Sequence, residues 1–164
     1  MATPRTEIIQ RQVEHVLERL LRVFDKAVAM IPPEQLEFRP TPDNMSARDM
    51  AHHVYTIVLL TAVGVRKGEV TRADMGGITL DLRQVTSADQ LVEFGGRVKE
   101  YARASLAALT EEELDREIQY YFGLRASGQD SIQNMMEEVL HHRGQMQVYL
   151  RLMGVKPPSV RDFS

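Results

Sequence analysis

The sequence predicts an all-α fold in which four long helices form a bundle. Four segments of the 164-residue chain repeat apolar residues at three- and four-residue spacing, as helices that bury one face do. Glycines and prolines separate these segments, and no segment shows a strong strand pattern. The length suits one domain. We therefore expect residues 1–164 to form a single four-helix bundle, with a short extended segment before the last helix.

The first helix is predicted over Thr6–Met30. Its apolar residues share one stripe: Val13, Val16, Leu17, Leu20, Leu21, Phe24 and Val28. His15 points away from this stripe, and we expect it to face solvent. The connection that follows is extended because prolines interrupt it: Pro32, Pro33, Pro40 and Pro42.

The second helix is expected to begin at Ser46 and to run to Val65 or Arg66. Ser46 and Asp49 fit a capping box, in which the hydroxyl caps a free backbone N–H and the carboxylate reaches back. Glycines mark the end of this helix and the loop that follows it: Gly64, Gly68, Gly76 and Gly77.

The third helix is expected over Ser87–Leu109. The Gly95-Gly96 pair either weakens it by roughly 2 kcal/mol relative to two alanines or allows a neighbouring helix to approach closely. The helical pattern fades beyond this segment, where Glu117–Phe122 is compatible with a short extended segment and Gly123–Gly128 with a turn.

The last helix is predicted over Asp130–Met153. Gly154 is suited to end it, and Pro157-Pro158 cannot continue it. Its apolar stripe contains several methionines: Ile132, Met135, Met136, Val139, Met146, Leu150 and Met153.

The composition excludes several classes of protein. The chain has no cysteine, which excludes disulfides, thiolate zinc sites, iron–sulfur clusters and a cysteine nucleophile. Its 20 basic and 23 acidic side chains form no long block, which argues against a nucleic-acid-binding protein. Neither a membrane span nor a secretory signal is visible. We expect a cytoplasmic protein with no nucleic-acid or membrane partner, in which His, Asp or Glu must hold any metal.

Four of the five histidines form two adjacent pairs, His52-His53 and His141-His142. Neighbours on a helix point about 100° apart, so at most one member of each pair faces the core. His53 lies roughly 75° from the centre of its apolar stripe and His52 roughly 175°. The corresponding angles are roughly 60° for His142 and roughly 160° for His141. We expect His53 and His142 at the core edge and the other two in water.

A polar strip runs beside the apolar stripe of the last helix, at spacings of four, three and four residues: Glu138, His142, Gln145 and Tyr149. A carboxylate and an imidazole four residues apart converge from one face, and His53 can add a third ligand from a facing helix. Two histidines and one carboxylate suit zinc, nickel, ferrous iron or manganese. Gln145 and Tyr149 are expected to support these ligands or to line the pocket, and Glu137 to fall on the far side of the helix.

A simpler interpretation needs no metal. Glu138 and His142 can be a helix-stabilising pair worth roughly 0.2–0.5 kcal/mol. His53 can be an ordinary hydrogen-bonded residue at the core edge. Spacing alone leaves both interpretations open.

Several stretches resemble the DinB/YfiT-like family: Phe38–Pro42, Ser46–His53, Leu114–Ile118, and the motif His142-Arg143-Gly144-Gln145 with Tyr149-Leu150-Arg151, Gly154 and Pro157-Pro158 after it. This resemblance implies a four-helix bundle with a divalent metal bound by three histidines. By position, two of these ligands correspond to His53 and His142. The third position holds Glu138, so the resemblance implies a two-histidine, one-glutamate site.

The resemblance also implies a function. Relatives include S-transferases and isomerases that use low-molecular-weight thiols, so we expect a metal-dependent, thiol-dependent S-transferase that acts on a small molecule. The metal is expected to be zinc or nickel, with iron and manganese as alternatives, and the assembly a homodimer. A metal-dependent hydrolase and a non-catalytic bundle that has lost or weakened its metal site are the competing hypotheses. No residue can be assigned a catalytic role from the sequence.

Overall fold

The computed structural model describes residues 2–74 and 77–162, so Gly76 of the predicted loop lies outside the described residues. The helices are α1 (Pro4–His15), α2 (Leu21–Ala29), α3 (Ala47–Lys67), α4 (Ala88–Ser105), α5 (Glu111–Asp115) and α6 (Gly128–Leu152). The strands are β1 (Glu69–Val70), β2 (Glu117–Tyr120) and β3 (Arg125–Ser127). The prediction of a mainly helical fold is confirmed, whereas the three strands correct its description as all-α.

The first predicted helix forms as one rod. A π-helical turn, Val16–Leu20, joins α1 to α2, so the rod is continuous over residues 4–29. It begins before the predicted Thr6 because the Thr3 hydroxyl accepts a hydrogen bond from the Thr6 backbone N–H. The predicted apolar stripe is buried, and His15 is exposed as expected.

Helix α3 begins where the sequence predicts and ends at Lys67, one residue beyond the predicted Arg66. The Ser46 hydroxyl accepts a hydrogen bond from the Asp49 backbone N–H at 3.1 Å, and Gly68 ends the helix with a φ of 78°. The Asp49 carboxylate does not complete the predicted capping box. It lies instead 3.6 Å from Arg48 Nε and 3.9 Å from the Arg39 guanidinium.

Helix α4 ends at Ser105, before the predicted Leu109, and the short helix α5 follows. Thr110 begins α5 through a capping box. Its hydroxyl accepts from the Glu113 backbone N–H, and the Glu113 carboxylate accepts from the Thr110 backbone N–H at 2.9 Å. This Thr-x-x-Glu pattern is a local sequence signal for a helix start, in a segment too short to show an apolar stripe.

The small sheet is formed by residues far apart in the chain. Strand β1 pairs in parallel with β2, and β2 pairs antiparallel with β3. Strand β2 buries Ile118 and Tyr120 on alternate positions. The predicted extended segment Glu117–Phe122 is a strand in its first four residues, whereas the predicted turn Gly123–Gly128 contains β3. Strands this short carry too few residues for alternation to be recognised.

Helix α6 runs close to its predicted limits. The Ser127 hydroxyl accepts from the Asp130 backbone N–H at 3.0 Å, so the helix starts at Gly128 rather than Asp130. Gly154 follows its end with a φ of 80°. Among the helices of the described residues, none has both the length and the apolar character needed to cross a membrane.

Helix α3 contacts α4, α6 and β2, and two glycines allow this crowding. A Cβ atom built on Gly95 of α4 would lie 2.4 Å from the ring of Tyr55 on α3. One built on Gly64 of α3 would lie 2.9 Å from Cγ2 of Ile118 in β2. Gly95 therefore allows close helix approach, whereas a Cβ at Gly96 would meet nothing within 4 Å.

Replacing Gly95 with alanine is expected to destabilise the protein, because the added methyl group would collide with the buried Tyr55 ring. Overpacking of this kind costs about 1–3 kcal/mol. Gly96→Ala is the matched control, since the same methyl group enters open space and should stabilise α4 by about 0.5–1 kcal/mol. Urea unfolding measures both free energies, and equal effects of the two substitutions would contradict the close approach at Gly95.

Candidate metal centre

Three predicted ligands meet where α3 faces α6. His53 lies on α3, and Glu138 and His142 lie one turn apart on α6. Glu138 Oε2 is 3.1 Å from His142 Nε2 and 3.5 Å from His53 Nε2. One nitrogen or oxygen atom from each residue lies within 4.8 Å of the other two. The two imidazole rings are nearly perpendicular, with their centroids 4.9 Å apart.

The cluster has one protected side and one open side. His142 is buried, with 7% of its surface exposed. The side chains of His53 and Glu138 remain 36% and 45% exposed. Burial, followed by the neighbouring His142, lowers the pKa of His53, and Glu138 opposes this shift in part. The lowered pKa favours the neutral imidazole of His53, which is the form that binds a metal.

Gln145 orients the buried histidine. Its amide Oε1 lies 2.7 Å from His142 Nδ1. Because an amide oxygen can only accept a hydrogen bond, His142 carries its hydrogen on Nδ1 and donates it to Gln145. The other ring nitrogen, Nε2, faces Glu138. A carbonyl partner on the second nitrogen is the usual way in which a metal-binding imidazole is held in its tautomer. Gln145 therefore contacts the cluster through His142.

The donor set fits a divalent metal ion. Two imidazole nitrogens and one carboxylate oxygen are ordinary ligands for zinc and for several transition metals. Ligand bonds of about 2.0–2.2 Å limit the separation of two donors on one ion to about 4.4 Å. Glu138 Oε2 lies within this limit of both histidine nitrogens, at 3.1 and 3.5 Å. His142 is held by Gln145, whereas the half-exposed His53 and Glu138 side chains have room to adjust to an ion.

The structure places Tyr149 in a packing role. The residue is buried, and its hydroxyl donates to the backbone carbonyl of Met45 at 3.0 Å. Its ring meets Phe38 edge-on, with centroids 5.9 Å apart. Tyr149 thus holds the proline-rich connection against α6. Its hydroxyl is bonded to that connection and does not contact the cluster.

The expectation that His52 faces water is wrong. Its ring stacks on Phe94 of α4, with centroids 5.3 Å apart, and burial lowers its pKa. A helical wheel drawn around one apolar stripe could not show this contact. Helix α4 packs on that side of α3, where Gly95 lets the two helices approach closely. His141 is exposed, as predicted.

A cavity of about 320 Å³ opens beside the cluster and has His53 and Glu138 in its wall. Five apolar residues form half of the rest, together with Asn134 and three hydroxyl-bearing residues: Thr61, Tyr120 and Ser131. Glu137 is exposed and also borders this cavity, although its position on the wheel predicted the far side of the helix. Thr61 lies two turns beyond His53 on the same helix, so helical periodicity could have predicted its position near the site. Tyr120 lies in β2, and no sequence pattern indicated that it would be close.

The comparisons with known proteins agree on one family. A model of the DinB superfamily matches residues 16–146, which include all three residues of the cluster. Protein YjoA of Bacillus subtilis strain 168 is 29% identical over 144 residues, which cover 87% of this chain and 88% of YjoA. The crystal structure of DinB-like YjoA matches with a TM-score of 0.71 over 92% of this chain and 96% of that one.

A second solved structure supports the fold alone. It comes from Exiguobacterium sibiricum 255-15 and is assigned to the DinB family. Its TM-score is 0.67 at 20% sequence identity, and the match covers 100% of both chains.

Removing the Gln145 amide is expected to weaken metal binding. Gln145→Leu keeps the bulk of the side chain but leaves His142 free to rotate, and loss of such a supporting contact lowers metal affinity about 10- to 100-fold. His141→Ala is the control, because that exposed imidazole lies outside the cluster. Competition of both variants with a chromophoric chelator measures the affinities. An unchanged affinity in Gln145→Leu would show that the amide has no orienting role.

Proposed function

The chain belongs to the DinB superfamily, and we propose that it is a divalent-metal-dependent enzyme whose ion is held by His53, Glu138 and His142. The observation that carries this proposal is the convergence of three donors, from two helices, at the wall of a cavity. An ion pair within one helix would involve Glu138 and His142 only. Here the same carboxylate also approaches His53 on α3.

Within this proposal, zinc and nickel suit the donor set best, and iron and manganese are alternatives. A bound divalent ion supplies the positive charge that lowers the pKa of a coordinated thiol or water. His142, held by Gln145, keeps its donor nitrogen directed at the site. His53 and Glu138 form the part of the site that faces the cavity, where a small molecule can approach.

The reaction that we propose is transfer to a low-molecular-weight thiol. The chain has no cysteine, so a sulfur nucleophile has to come from a second small molecule. Its thiolate attacks an electrophilic carbon of the substrate, a carbon–sulfur bond forms, and the leaving group departs with its electron pair. The apolar residues of the cavity wall can contact the body of an apolar electrophile beside the cluster.

Hydrolysis is the second candidate, and Glu137 favours it. This exposed carboxylate borders the cavity next to Glu138 and is not one of the three candidate ligands. Its Oε1 accepts a hydrogen bond from Gln133 Nε2 at 2.9 Å, which gives it a defined position. A carboxylate outside the coordination sphere can accept a proton from an attacking water.

Metal content tests the proposal directly. Untagged protein purified without chelators and loaded with zinc is expected to bind about one equivalent of metal, because the cluster offers one set of converging donors. The single substitutions His53→Ala, Glu138→Ala and His142→Ala should each lose it, whereas His15→Ala, which removes an exposed histidine, should not. Elemental analysis gives the stoichiometry, and circular dichroism confirms that the variants stay helical. A parent that binds none of zinc, nickel, manganese or anaerobic ferrous iron would refute the proposal.

Glu137→Gln separates the two candidate reactions. Loss of a general base slows a reaction about 10²- to 10⁴-fold. Thiol transfer from a preformed thiolate needs no base at Glu137, so its rate should change less than twofold, whereas ester hydrolysis should fall by the larger factor. The assays are thiol conjugation to an activated chloroarene and hydrolysis of a 4-nitrophenyl ester. A large loss of conjugation in Glu137→Gln would contradict the transferase proposal.

A further inference from the structure

The cavity beside the cluster has a second polar group at its other end. Thr61 lies eight residues after His53 on α3, and Ser131 lies seven residues before Glu138 on α6. At 1.5 Å per residue, both hydroxyls are about 10–12 Å from the cluster along their helices. All four residues border the same cavity. The cavity therefore runs between the helices, with the candidate ligands at one end and hydroxyl groups at the other.

Strand β2 completes the hydroxyl end. The Tyr120 hydroxyl interacts with the side chains of Thr61 and Ser131, and all three residues are buried. Ser131 Oγ nevertheless makes no hydrogen bond of normal geometry to any residue that the structure describes. A buried polar atom without such a bond is uncommon in native proteins, so Ser131 keeps unused hydrogen-bonding capacity at this end of the cavity.

Apolar side chains connect the two ends. Ile57 and Leu60 of α3 and Met135 of α6 line the cavity between them, together with the exposed Asn134. Phe122 and Leu124, at the tip of the β2–β3 hairpin, border it while remaining 56% and 45% exposed. An apolar ligand would cover these two side chains.

The charge of the cavity restricts the ligand further. Among the described residues that line it, none is Lys or Arg, whereas Glu137 and Glu138 are both present. A ligand with an anionic end group would bury its charge at the hydroxyl end of the cavity without a cationic partner, which is unfavourable.

We infer that the substrate of this site is a small molecule with an unbranched or narrow apolar body and a neutral hydrogen-bonding end group, which binds the hydroxyls of Thr61, Tyr120 and Ser131. This inference deepens the proposed function, because it names the class of substrate for the same site. The reacting group lies at the cluster, and the neutral end group lies about 10–12 Å away. The cavity volume of about 320 Å³ is at the small end of the range for ligand pockets.

The test uses metal-free protein, so that its outcome does not depend on metal binding. The probes are 1-octanol and octanoate, which share one apolar chain and differ in the charge of the end group. Titrations are followed through the NMR signals of the Met135 methyl group and the Tyr120 ring. We expect 1-octanol to shift both signals, and octanoate to bind at least about tenfold more weakly, because its charge has no cationic partner in the cavity.

Two isosteric variants locate the end group. Thr61→Val removes a hydroxyl from the cavity and should weaken 1-octanol binding about fivefold, the effect of one hydrogen bond. Thr56→Val removes a hydroxyl from the same helix outside the cavity and should leave binding unchanged. Tighter binding of octanoate than of 1-octanol, or equal affinities in the two variants, would overturn the inference. If the protein binds metal but 1-octanol has no effect on the Met135 signal, the inference about the substrate is overturned and the proposed metal centre stands. If 1-octanol binds but the protein takes up no metal, the proposed metal centre is refuted and the apolar ligand site stands.

Discussion

The packing of helix α3 on three sides is the constraint on which the rest of the structure depends. Helices α4 and α6 and strand β2 all contact it, and few of its side chains remain in solvent. Gly95 and Gly64 make this possible by removing side chains at the closest contacts with Tyr55 and Ile118. Because α3 cannot rotate without losing one of these contacts, the direction of His53 toward α6 is determined by packing rather than by the histidine itself.

The three candidate ligands are not held equally. His142 is buried and bonded to Gln145, whereas His53 and Glu138 are half-exposed and have room to adjust. Such a site combines one fixed donor, His142, with two donors whose side chains can move toward an ion. The open side of the site faces the cavity. Glu138 also alters the electrostatics, since its negative charge leaves a net +1 on a bound divalent ion where three neutral histidines would leave +2. A milder Lewis acid follows from that difference.

Local sequence patterns account for more of this molecule than the apolar stripes do. The caps at Ser46 and Gly68 and the long helices follow from short-range hydrogen bonding and periodicity, which are properties of neighbouring residues. Helix α5 has its signal in the Thr110–Glu113 capping box, although the segment is too short for periodicity to show. His52 shows where the wheel fails. A wheel ranks residues against one buried face, and α3 buries a second face against Phe94.

The sequence by itself determined which residues of the two helices can share a site. His53, Glu138 and His142 are selected by helical geometry, because side chains on a rigid helix keep a known angular relation to its apolar stripe. The distance between the helices, the burial of His142 and the cavity were decided only by the tertiary structure. Tyr120 is the clearest case, since it reaches the cavity through the pairing of β2 with β1, about fifty residues earlier in the chain. Pairing between distant strands depends on long-range packing, and no local pattern records it.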